Sequence, residues 1–207
     1  MRVVSFGKFV LAAIAVAALF LAAAPSASAN SFTLSTTNLN GVSNVGTVNV
    51  TDTGTNQVTV TITMNAGFSI KLNGADVAFT GPSGSLTVSG LTAFSGANTY
   101  SGLSFKGLKT AQNISQFGTF SFDYTNVQGQ PGGVVSADSL TFVLTGTGLN
   151  ASQFTGFAIH FCTASGTNCG PNTGFATTVV PEPGTMTLLG SGLIGLAGLV
   201  RRRYRSL

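Results

Sequence analysis

The chain has 207 residues, of which only 7% are charged, with 27 glycines and no tryptophan. Ordinary proteins carry about 25% charged residues, so this surface is wetted by hydroxyls and amides. The formal charge of +4 belongs to the two ends. The middle sets Lys71, Lys106 and Lys109 against Asp52, Asp76, Asp123 and Asp138, and such a neutral domain lacks the basic stripe that nucleic-acid binding requires.

Residues 1–29 read as a secretory signal peptide. Arg2 and Lys8 supply its basic start, residues 9–24 an apolar run, and Ala27-Ser28-Ala29 a small-residue cleavage site after Pro25. Cleavage after Ala29 leaves a mature start at Asn30. An uncleaved anchor helix is the competing reading, and the small residues and short apolar run weigh against it. The leader holds no twin-arginine pair, which points to the general secretory machinery and signal peptidase.

Residues 30–180 form one domain of about 150 residues, an ordinary domain size. Their dominant period is two. Val58, Val60, Ile62 and Met64 alternate with Thr59, Thr61 and Thr63; Phe120, Phe122 and Tyr124 alternate with Ser121 and Asp123. Leu140, Phe142 and Leu144 alternate with Thr141 and Val143, and Phe157, Ile159 and Phe161 with Ala158 and His160. This pattern predicts strands with one buried and one solvated face. Turn residues separate them, and Asp52-Thr53-Gly54-Thr55-Asn56 predicts a hairpin. One helical turn is expected near residues 108–116. Residues 175–180 are expected as a last edge strand or a linker. About nine or ten strands at this spacing predict an all-β, antiparallel β-sandwich of jelly-roll type. A signal-peptide helix and a C-terminal transmembrane helix would flank it.

Cys162 and Cys169 are the only cysteines. In an exported chain such a close pair reads as a disulfide. A metal site would need more ligands than His160, the single histidine. Catalysis by His160 would need a serine and Asp123 or Asp138 beside it, and no Gly-x-Ser-x-Gly elbow is present. The aspartates form no calcium-loop pattern. No catalytic residue, metal or cofactor is assigned.

Pro181-Glu182-Pro183-Gly184 precedes an apolar run at residues 185–200, followed by Arg201, Arg202, Arg203 and Arg205. A helix of that length spans roughly 24 Å, a little short of a bilayer core of about 30 Å, which thinning and snorkelling accommodate. The arginines would stay cytoplasmic and the domain outside. The prolines forbid helix and ladder pairing, leaving an extended, protease-accessible stretch.

This three-part order at residues 181–207 closely resembles the PEP-CTERM sorting signal. The resemblance implies handling by an exosortase, a membrane protease-transpeptidase that cuts near the Pro-Glu-Pro motif. It also implies a Gram-negative bacterium that makes exopolysaccharide and biofilm, with transient anchoring in the inner membrane before delivery outside. The expected function is therefore a non-enzymatic structural or adhesive protein of the cell surface or matrix. The alternative is a carbohydrate-binding module for the exopolysaccharide, which calls for an exposed groove with Tyr100 or Tyr124 at its floor. A secreted hydrolase is a third reading.

Overall fold

The computed structural model describes residues 28–72, 76–129, 136–164, 169 and 172–178. Among these residues lie twelve strands: β1 (Ala29–Thr37), β2 (Gly46–Gly54), β3 (Gln57–Met64), β4 (Ser69–Lys71), β5 (Asp76–Thr80), β6 (Thr87–Ser95), β7 (Asn98–Asn113), β8 (Thr119–Gln128), β9 (Ser136–Ala137), β10 (Ser139–Thr145), β11 (Gly156–Cys162) and β12 (Thr173–Thr178). The hairpin expected at residues 52–56 is present. β2 turns into β3 there, with Asn56 in the left-handed region at φ 60°.

Ten strands form a ring in the order β12-β1-β2-β3-β10-β6-β7-β8-β5-β11, and β11 pairs back to β12. The short β4 and β9 extend from β11 as a side ladder. The expected antiparallel all-β class holds, but the sandwich does not: one sheet closes on itself as a barrel. Alternation predicts an inner and an outer face and is the same for both architectures. Residues 175–180 were expected as a last edge strand or a linker. Instead β12 lies between β1 and β11 and closes the wall.

Closure pairs β12 with β11, strands that would otherwise leave the ring open. The interior is a packed core. Val58, Val60, Ile62, Leu140, Phe142 and Leu144 are all fully buried, as their alternation predicts. Phe79 packs against Phe122, Tyr124, Phe154 and Phe157, with ring centroids 5.3–5.9 Å apart. Ten strands enclose more space than eight, whose interior side chains alone just fill. Leu72, Leu86, Leu149 and Phe154, all outside the strands, are buried in the same core.

A second, smaller core lies apart from the first. It joins Ala78 and Ala158 to Ile114 and Phe120, with Phe117 and Phe175 packed against it. The residues between β7 and β8 thus cover β5 and β11, where the two small alanines leave room. This corrects two expectations. β7 runs through Asn113, and the helical turn is a single 3-10 turn at Ser115–Phe117. β11 is buried on both faces except at His160, because the second core covers the face that alternation assigns to water.

The expected signal-peptide and transmembrane helices lie outside the described residues. No helix among the described residues is long and apolar enough to cross a membrane.

Candidate functional site

At the front of the chain, Ala27 lies outside the described residues, whereas Ala29 and Asn30 open β1 and pair with Thr51 and Val50. The Asn30 amide donates to the carbonyl of Ala151 at 2.9 Å. The Asp52 carboxylate accepts from the N–H of Ala151 at 2.7 Å. Both side chains hold the 3-10 turn at Ala151–Gln153 against the wall. The residue expected to begin the mature protein is therefore built into the barrel.

Cys162 ends β11 and is bonded to Cys169, with Cα atoms 5.2 Å apart, as the spacing predicts. His160 is half-buried, and its ring stacks on Phe175 at a centroid distance of 4.4 Å. Phe175 is its cross-strand partner on β12. Asp138 accepts from the N–H of Gly96 at 2.8 Å and so fixes the β6–β7 turn. Asp123 lies on β8 opposite Lys109 and Ala78. No group of three or more His, Cys, Asp or Glu residues that could hold a metal ion occurs among the described residues.

Two surfaces remain. The first is the outer face of β2, β3, β10 and β6. Buried valines, isoleucine and leucines on one side of these strands turn their threonines outward. Thr47 pairs with Thr63, and Thr51 with Thr59. Thr61 pairs with Thr141, which pairs with Thr92. The Thr141 hydroxyl donates to the Thr61 hydroxyl at 3.3 Å, and the Thr59 hydroxyl to the Thr53 hydroxyl at 3.1 Å. β3 and β10 contain no charged residue. A hydroxyl row visible on one strand in the sequence is thus one column of a wall several strands wide.

The second is a cleft of about 310 Å³ between β6 and β7, at the small end of ligand pockets, which run from about 300 to 1,000 Å³. The two strands pair from Ser95 and Asn98 back to Leu91 and Leu103. Beyond that rung β6 stays with β10 and β7 stays with β8, so the wall opens. Leu86, Val88, Leu103 and Phe105 line the opening, with Lys106 at its side and Tyr124 at its floor. Tyr124 is only 4% exposed. Its hydroxyl has no hydrogen-bond partner, and burial pushes its pKa up to about 12. Sequence reasoning singled out Tyr124 but missed the rest. Their pairing partners, not their residue types, make the cleft. Tyr100 packs half-buried against the core.

The described barrel ends at Thr178, and the sorting tail follows at once. A model of the PEP-CTERM protein-sorting motif matches residues 179–203, which bears out the resemblance read from the tail. The motif implies an exported, transiently membrane-anchored protein of a Gram-negative bacterium, sorted by an exosortase. Pro181, Glu182, Pro183, Gly184 and the arginines at 201, 202, 203 and 205 lie outside the described residues. No curated protein and no solved structure matches the chain.

Proposed function

We propose that the barrel is a non-enzymatic structural or adhesive component of the cell surface or extracellular matrix, delivered by its exosortase-handled tail. The threonine wall on β2, β3, β10 and β6 carries this reading. It is broad and hydroxyl-rich, and its two central strands are free of charge. Such a wall offers many weak hydrogen bonds to a hydrated polymer. Each is worth little alone, but together they retain a protein in a matrix without a deep binding groove. The proposed setting is the exopolysaccharide of a biofilm. A dedicated carbohydrate-binding groove is less well supported, because Tyr124 lies against Phe79 and Phe105 and offers no free ring face.

The test compares three forms in the producing cell: the unaltered chain, a chain lacking residues 179–207, and the double variant Thr61→Glu/Thr141→Glu. The unaltered chain should reach the matrix fraction. The truncated chain should fail to reach the outside. The double variant should be delivered with its disulfide closed but wash out with buffer. Equal matrix retention of the double variant would sink the adhesive reading and leave the delivery reading standing.

A further inference from the structure

We propose that the opening between β6 and β7 is a strand-addition site for an extended polypeptide segment with alternating apolar side chains and an acidic residue. It is distinct from the threonine wall and does not rest on the adhesive reading. Past the rung formed by Leu91 and Leu103, residues 87–90 of β6 and 104–108 of β7 face each other without pairing. Thr87, Val88 and Ser89 pair on their far side with β10, and Ser104, Phe105, Gly107 and Leu108 with β8, while the Gly90 carbonyl accepts from the Thr92 hydroxyl at 3.3 Å. The other facing backbone groups are therefore available to an incoming strand. Four to five residues of such a strand would extend about 13–17 Å. Main-chain bonds to both rows would supply affinity, and the pockets between them selectivity.

The side chains fit the same occupant. Val88 and Phe105 are half-buried and point to the cleft, whereas Ser89, Ser104 and Lys106 are exposed. An added strand has the same alternation, so every second side chain would enter the space lined by Leu86, Val88, Leu103 and Phe105. The remaining side chains would lie outside, beside Lys106. That lysine is the one charged residue lining the cleft, and no carboxylate lines it, so an acidic residue is matched there. A second copy of the chain fits less well. Pairing β7 with itself in antiparallel fashion would bring Lys106 and Lys109 near their own copies, which like-charge repulsion opposes.

The probe is an acetylated, amidated heptapeptide alternating valine with threonine and carrying one central aspartate. The control is the same peptide with proline in place of two valines, which removes their backbone donors. Both are titrated into the full chain in detergent micelles and followed by amide NMR. The valine peptide should give saturable shifts and slowed hydrogen exchange at Val88, Ser89, Ser104 and Lys106, and the proline peptide none. Lys106→Gln should weaken binding by about two- to fivefold, the loss expected for one exposed ion pair. Val88→Phe, which fills the cleft, should abolish it with the thermal midpoint retained. No shift at millimolar peptide would overturn the proposal, as would an equal response to the proline peptide. Shifts at these amides caused by maltohexaose instead would assign the cleft to a glycan. Shifts that follow protein concentration without peptide would assign it to a second copy.

Discussion

The backbone N–H of Phe157 donates to the side-chain hydroxyl of Thr178 at 3.0 Å, buried in the seam where the barrel closes. The Thr177 hydroxyl returns a bond to the Phe157 carbonyl at 2.9 Å. Thr178 also pairs with Leu34 on β1. Two side chains of the last strand thus lock the ring that joins the first strand to the last.

Replacing Thr178 by valine keeps the shape and leaves the Phe157 N–H buried without its acceptor. The loss should be about 1–3 kcal/mol. Urea unfolding of Thr178→Val measures it, and Thr178→Ser should recover most of it. An unchanged midpoint in the valine variant would show that the seam does not depend on this bond.

Tyr124 supplies a pH signature. Burial holds its phenol neutral up to about 12 in the folded chain, against 10.0 when unfolded. The folded state therefore keeps a proton that the unfolded state has lost between these values. Stability from this group is intact below pH 10 and declines as pH rises toward 12. Tyr124→Phe should flatten that part of the alkaline decline. Because the hydroxyl lacks a partner, the same variant should be as stable as the parent, or more so, at neutral pH. Urea midpoints taken across pH 9 to 12 check both expectations, and an identical alkaline slope would count against them.

The Cys162–Cys169 bridge closes a short loop at the end of β11. Loop-closure entropy gives roughly 2–3 kcal/mol for a loop of this size. The double variant Cys162→Ala/Cys169→Ala should lose about that much and still form the barrel, since β11 is held by β5 and β12 independently of the bridge. Thermal unfolding with and without dithiothreitol should shift the parent and leave the variant unmoved.

Gly81 has φ +119°, and a Cβ added there would land on the carbonyl oxygen of Gln153. The collision is with backbone that cannot rotate away, because Thr155 donates from the next turn to the Thr80 carbonyl at 3.0 Å. Gly81→Ala should cost about 3 kcal/mol or more, combining a disfavoured φ with the overlap. Gly84, at φ +87° with nothing near its Cβ position, should cost only about 1 kcal/mol as alanine. Comparing the two unfolding midpoints separates steric overlap from backbone strain.

Much of this chain is legible one residue at a time. A side chain's face on a strand follows from period two, so Val58, Val60, Ile62 and Met64 were readable as core and Thr59, Thr61 and Thr63 as surface. With only two cysteines, the disulfide has a single possible pairing within the chain. The address needs no folding to be read, because Pro-Glu-Pro, an apolar run and arginines act as an ordered linear signal.

What the tertiary structure decided depends on which strands meet. Period two says which way a residue points and nothing about its neighbour on the next strand. Closure rests on Leu34 meeting Thr178 from opposite ends of the domain. The second face of β11 is dry because Ile114 and Phe120 fold across it. The cleft exists because the β6–β7 ladder shifts register between Leu91 and Ala93 and ends at Leu103. Those are long-range pairings, set by how the whole ring packs around its phenylalanines, and no local pattern encodes them.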